Sequence, residues 1–407
     1  MKKLINSYLG TFAGLSTEVW WLALVTFINR SGTMVIPFLS LYLTEDLDFS
    51  LDKVAWIMSA FGLGSVIGSW IGGKLTDKIG FYKVMTISLL TTGFLFIGLQ
   101  YLKTFEALCV GIFITMLIAD TFRPAIFVAM SAYSKPENKA RSVTLIRLAI
   151  NLGFSAGPAI GGLIIAHLSY SGLFWVDGIT CILATLLFMK VLNPKVAKTL
   201  DNHIVENPRS VYKDVPFWIF FAAMIIFAMT FVQYFSTIPL YYRDAHFLSE
   251  PKIGLLMGMN GFLIFLFEMP LIKWLENTGY SKVGLVLFGA LLTGLSFLVL
   301  DFTSWSGILI IGMLLMTVGE MISFPFANAF ALDRAKTGRQ GEYMAYFTIT
   351  FSFGHIFGHN SGMQLISHLG FDATWYVMTG LMAICVGLFA LLRYKVKKEK
   401  VDSALSL

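Results

Sequence analysis

Asp120 and Arg123 stand three residues apart inside an otherwise apolar run, 107–133, so on a helix they share one face. Such a pair either neutralises itself or handles a proton or a charged solute, and the spacing allows both. Further runs carry isolated ionisable groups: Arg30 near the middle of 19–43, Glu268 in 253–275, Glu320 in 305–330, and His355 with His359 in 343–366. Taking charge into hydrocarbon is costly, which makes each of these either a participant in transport or part of a structural ion pair. Glu320 has no basic residue within four positions and is the acid best placed to carry a proton. Glu268 lies closer to the end of its run, where a tie to Lys273 or to a neighbouring helix competes with that role. His355 and His359, four apart with Asn360 beside them, project from one face. Imidazole titrates near neutral pH, which suits a proton relay, and hydrogen bonds between helices are the competing use. With no acid or thiol close by, the two histidines are not expected to hold a metal. Arg147, near the start of 143–167, fits a snorkelling side chain.

The elements that must position these groups are twelve apolar stretches of about 20 residues, each long enough to cross a bilayer. They run over 19–43, 54–73, 84–101, 107–133, 143–167, 173–191, 217–242, 253–275, 283–300, 305–330, 343–366 and 373–392. Hydrophobic residues make up 57% of the 407 residues and charged ones 13%, against about 45–50% and about 25% in a soluble domain. With the N-terminus inside the cell, 23 of the 30 Lys and Arg fall in inner loops and tails and four in outer loops. This positive-inside pattern predicts a multi-pass protein of the cell membrane with both termini cytoplasmic. It also accounts for the net charge of +6 without a nucleic-acid partner. The three cysteines all fall within apolar runs, so neither a disulfide framework nor a zinc site is expected. No small-residue cleavage site follows Met1-Lys2-Lys3, so the segment is read as part of the mature chain.

The chain repeats itself. Lys74, Asp77, Gly80 and Lys83 match Lys273, Glu276, Gly279 and Lys282 at one offset of 199, and Gly153, Gly157 and Gly161 match Gly354, Gly358 and Gly362 at 201. Glycine every fourth residue lets helix backbones approach closely, so these glycines speak for architecture more than for chemistry. The longest polar break, 193–216, carries charges and prolines. It divides the chain into an N-terminal six-helix bundle, 1–192, the cytoplasmic linker 193–216, and a C-terminal six-helix bundle, 217–407. Duplication of this kind builds many secondary transporters.

These residues resemble the major facilitator superfamily. Its loop 2–3 signature, G-x-L-a-D-r-x-G-r-k, is met by Gly73, Leu75, Asp77, Lys78 and Gly80. Phe81 and Tyr82 replace the expected basic pair, and Lys83 is displaced by one position. The resemblance implies a gating role for this loop, with Asp77 able to cap a helix N-terminus. Gly153 to Gly162 is a full match to g-x-x-x-G-P-x-x-G-G, which the family associates with antiporters, especially drug:proton exporters; Pro158, Gly157 and Gly161 let that helix bend and pack. Ala149-Ile150-Asn151-Leu152-Gly153 also looks like a signature of proton-dependent oligopeptide transporters. Asn29 and Arg30 occupy the place of that branch's E-x-x-E-R, but its acids are missing here.

The resemblance implies an all-α membrane fold of two six-helix bundles around a mid-membrane cavity. The expectation that follows is a proton-coupled exporter of small hydrophobic or amphipathic compounds, with Glu320 and Asp120 as candidate exchangers of the proton. Asn29, Arg30 and Arg123, with Gln233, Tyr234 and Phe324 from an aromatic region around Phe231 and Pro325, are the candidate substrate contacts. Trp20, Trp21, Trp56, Trp70, Trp305 and Trp375 lie near run ends and fit interfacial belts. Proton-driven import of peptides or another nutrient is the alternative, and a non-transporting receptor on the same scaffold a third, disfavoured by the short loops. No nucleophile, base and orienting acid are grouped in a loop and no P-loop appears, so neither catalysis nor a cofactor is expected. The expected partners are the solute, protons and membrane lipid, with the protein acting as a monomer.

Overall fold

The computed structural model describes residues 14–32, 34–135, 139–194, 211–302, 305–335 and 340–405, and every element among them is helical. Among the described residues, eleven helices are long and apolar enough to cross a membrane. The last of them, Tyr346–Glu399, is two spans in sequence, because the backbone at Gly370 turns out of the helical region with φ 78°. Twelve spans result, and they are numbered here in chain order.

Several spans taken from the sequence as single runs are interrupted. Span 1 is two helices, Thr17–Ser31 and Val35–Leu41, followed by a π-turn at Tyr42–Asp46. Span 4 breaks between Phe105–Ala119 and Phe122–Tyr133, and span 7 passes through a tight turn, Val232–Phe235, between Val215–Phe231 and Thr237–Asp244. Hydropathy sees no gap there because each break is only a few residues long and is averaged away over a span-length window. The gaps are tolerable in a membrane only if the freed backbone groups find partners inside the protein.

The loops of the repeated motif are alike in geometry. Gly80 (φ 85°) and Gly279 (φ 72°) both take the left-handed conformation, just after span 2 and just after span 8, where a side chain would be strained. This is the backbone reason that glycine recurs at that place in each copy.

The chain divides into two compact units. The first comprises residues 1–47, 60–201 and 249–265; the second comprises 48–59, 202–248 and 266–407. Each unit has its own core. In the first, Val19 and Leu22 of span 1 meet Phe81 and Leu89 of span 3, Ala125 and Ala129 of span 4, and Ala184 and Phe188 of span 6. In the second, Phe217, Phe220 and Phe227 of span 7 pack with Val286 and Ala290 of span 9, Phe326 and Ala327 of span 10, and Cys385 and Phe389 of span 12. Between helices in a membrane such contacts hold by close packing rather than by exclusion of water.

Trp375 departs from the interfacial role expected of it. It is fully buried, stacked on Phe297 and Phe371, whereas Trp20, Trp56, Trp70 and Trp305 are 49–65% exposed. Helix rotation, which position along a span does not fix, decides between the two.

Candidate functional site

In the first unit the break in span 1 is filled by a side chain that sequence reading passed over. Asp177 of span 6 is fully buried, and its carboxyl oxygens accept the backbone N–H groups of Met34 (2.9 and 3.0 Å) and Val35 (2.8 Å). These are the orphan donors at the start of the second helix of span 1. Gly32 makes the crossing possible, since a Cβ there would lie 1.8 Å from Thr180 Oγ1. An acid amid the apolar run 173–191 was the available signal.

Arg30 occupies the last turn before this break. Its guanidinium carbon lies 5.5 Å from the centre of the Phe154 ring, its Nε is buried without a hydrogen-bond partner, and it is close enough to Arg123 and Asp120 to interact through charge. Asn29 donates from its amide to Cys181 Sγ at 3.6 Å. Gly153 of span 5 leaves the room Arg30 needs, for a Cβ there would sit 2.5 Å from Arg30 Cβ.

Asp120 lies at the break of span 4, nearly buried, with one oxygen 2.7 Å from Arg123 Nε and the other accepting the Ser65 hydroxyl. Pro124, in the first turn of the helix that restarts at Phe122, lacks an N–H where none is needed. Ser65 reaches Asp120 because Gly64, Gly68 and Gly72 let span 2 press on span 4; Cβ atoms there would meet span 4 backbone at 2.2–2.5 Å. That series, glycine at every fourth residue, is legible in the sequence. Hydrogen bonds to charged groups contribute about 1.5–3 kcal/mol, so Ser65→Ala is expected to destabilise the protein by roughly that amount in thermal unfolding. No loss would detach Ser65 from the charge cluster.

The antiporter-type signature of span 5 packs against the first half of span 8 within the same unit. Ser155 donates its hydroxyl to the Gly258 carbonyl at 2.7 Å, and a Cβ on Gly254 would lie 2.2 Å from the Pro158 carbonyl oxygen. Gly157 and Pro158 are buried in this seam, and Gly161 packs on Met34 and Phe38 of span 1.

The second unit holds the aromatic candidates. Phe231 lies 4.8 Å from Phe324 and 5.6 Å from Phe235 between ring centres, and Phe324 lies 5.4 Å from Phe351. Gln233, at the turn in span 7, donates to the carbonyls of Gly358 (2.7 Å) and Met229 (2.8 Å). Tyr234 is turned into the wall: it is buried, and its hydroxyl donates to Ser296 at 2.7 Å. His355 and His359 are brought together, Nδ1 to Nε2 at 3.3 Å, where span 11 widens into a π-turn over Gly354–Gly358. Such turns recur at functional sites. Glu268 is buried and Glu320 partly exposed. No group of three metal-ligating side chains occurs among the described residues.

At the loop 2–3 end, Gly73 and Asp77 belong to the helix Leu51–Ile79, and Lys83 is exposed. The Asp77 side chain, with the capping role expected of it, lies outside the described residues.

The sequence model of the Major Facilitator Superfamily matches residues 19–359 and, in an overlapping match, 246–405. The chain belongs to that superfamily. It is therefore a multi-span membrane transporter of small solutes, and not an enzyme. Among curated relatives, a Na(+), Li(+), K(+)/H(+) antiporter of Planococcus maritimus is 24% identical over 89% of this chain and 92% of its own length. The chloramphenicol resistance protein CraA of Acinetobacter baumannii is 24% identical over 83% of this chain and 84% of its own. A solved POT family transporter in complex with 5-aminolevulinic acid superposes with a TM-score of 0.78 at 15% identity, over 95% of this chain and 97% of that one. That likeness shows the superfamily fold of two six-helix bundles.

Proposed function

We propose that this transporter is a proton-coupled exporter of small hydrophobic or amphipathic compounds, working as a monomer in the cell membrane by alternating access, with both termini cytoplasmic. The observation that supports the reading is the placement of two acids 200 positions apart, each mid-span in its own copy of the repeat. Asp120 is committed to Arg123 and Ser65, so its charge serves the structure of the first unit. Proton exchange is assigned to Glu320 on span 10, which lies mid-span and is partly exposed, with the His355–His359 pair of the same unit as the second proton-handling group. The aromatic cluster around Phe231 and Phe324 supplies apolar contact for the solute.

The antiporter-type signature of span 5 and the names of two relatives, an antiporter and a drug-resistance protein, support export by exchange. Proteoliposomes loaded with an amphipathic dye test this. Efflux is expected to follow an imposed pH gradient, and Glu320→Gln to abolish that dependence while leaving dye exchange at equal pH. Efflux indifferent to the gradient, or unchanged in Glu320→Gln, overturns the coupling scheme.

A further inference from the structure

The tight turn in span 7 and the π-turn in span 11 are joined by one side chain. Gln233 is fully buried, and its amide is engaged in three directions. The nitrogen donates to the Gly358 and Met229 carbonyls, and the oxygen accepts the Thr237 hydroxyl at 3.0 Å. Both N–H groups are used, so none is left for a solute. Three glycines of span 11 make room for the contact. A Cβ on Gly354 would lie 2.7 Å from Ala228 Cβ, one on Gly358 2.7 Å from the Met229 carbonyl oxygen, and one on Gly362 1.9 Å from Gln233 Oε1.

Gly358 closes the π-turn Gly354–Gly358, and its carbonyl accepts both the Gln233 amide and the Ser361 hydroxyl (3.1 Å). Such turns are rare single departures from the α-helix, so the α register is the available alternative. Closing the turn into that register would rotate the segment beyond Gly358 by about 100°, the advance of one residue in an α-helix. His359 is the first residue of that segment and is 1% exposed. A rotation of that size takes its ring off the buried seam. His355, inside the π-turn, is already partly exposed, so the hold on Gly358 decides whether the second imidazole of the pair meets water.

We propose that Gln233 is a positioning residue for proton handling: by holding the Gly358 carbonyl it keeps span 11 in its π-turn and His359 closed off from water. The inference rests on the proton-handling reading of the His355–His359 pair given above. Withdrawal of the amide lets the π-turn close to the α register and opens His359. Phe231 and Phe235 stand two positions to either side of Gln233, so the turn that carries the proposed solute contact also carries the hold on the pair.

The test is acylation of the histidines of the full-length protein by diethyl pyrocarbonate in nanodiscs, followed residue by residue by mass spectrometry with neither gradient nor solute present. In the parent protein His359 is expected to react more slowly than His355 and than the exposed His368. Gln233→Leu, similar in size and without a donor, should raise the His359 rate about tenfold, an ordinary strength of coupling between two sites, and leave His368 unchanged. Gly362→Ala keeps the glutamine but drives a methyl group into its amide oxygen, and should raise the rate likewise even if the first variant does not fold. Tyr234→Phe removes the bond to Ser296 from the same turn and should not raise it. A His359 as reactive as His368 in the parent protein overturns the proposal, as does an unchanged rate in Gln233→Leu or Gly362→Ala, or an equal rise in Tyr234→Phe. Dye efflux under a pH gradient separates this hold from the reading it rests on. Gln233→Leu is expected to lose gradient dependence together with His359→Gln, and a Gln233→Leu that keeps it while His359→Gln loses it overturns the positioning role. If His359→Gln keeps it while the acylation pattern holds, the joint stands and the proton-handling reading of the pair is what falls.

Discussion

Arg334→Ala is expected to destabilise the protein by about 3–5 kcal/mol, because it leaves a buried carboxylate without its countercharge. Asp214, fully buried at the start of span 7, accepts Arg334 Nε at 2.9 Å and a second guanidinium nitrogen, and also the Tyr343 hydroxyl at 2.8 Å. It also caps its own helix through Phe217 N at 3.2 Å. Arg334 reaches on to Glu399 at 2.7 Å, so one guanidinium joins the ends of spans 7, 10 and 12. The double variant Asp214→Asn with Arg334→Ala should recover part of the loss, since no lone charge remains. Thermal unfolding in detergent measures both; a single variant costing less than about 1 kcal/mol would show that the cluster does not hold these spans.

Asp177→Leu should cost about 2–6 kcal/mol, from two backbone donors left unsatisfied at roughly 1–3 kcal/mol each. The loss falls inside the span 1 break, where no water replaces the missing acceptor. Asp177→Asn keeps an acceptor oxygen and is expected to restore most of the stability. Thermal midpoints of the two variants settle the point: if Asn is as damaging as Leu, the carboxyl group has some role other than accepting from Met34 and Val35.

The number of spans, their duplication and the intramembrane position of Arg30, Asp120, Glu268 and Glu320 were legible, because each is a property of local composition or of spacing along the chain. The fourfold spacing of His355 and His359 likewise announced that their rings share a face. What was not legible depends on contacts across long separations. Asp177 meets Met34 over 143 positions, and Ser65 meets Asp120 over 55. Nothing in either local pattern names the partner. Trp375 and Tyr234 failed as an interfacial and a solute-facing candidate for a related reason: one rotation of a helix turns a lipid-facing ring into a core ring. Asp214 was hidden differently. Its polar neighbourhood marked it as linker, although it caps the first turn of span 7.

The two copies of the repeat close their linker-side ends with different materials. In the first, Ser16 donates to the Tyr133 carbonyl (2.8 Å) and the Tyr133 hydroxyl to the Asn193 carbonyl (2.6 Å), two hydrogen bonds between neutral groups. In the second, the same junction is made by Asp214, Arg334 and Glu399, and Glu399 is 36% exposed. Dissolved ions screen an exposed charge and leave a neutral hydrogen bond nearly untouched. Added salt should therefore loosen one end of this molecule and spare its twin, making hydrogen exchange at residues 393–399 rise with ionic strength while that at 16–19 holds steady.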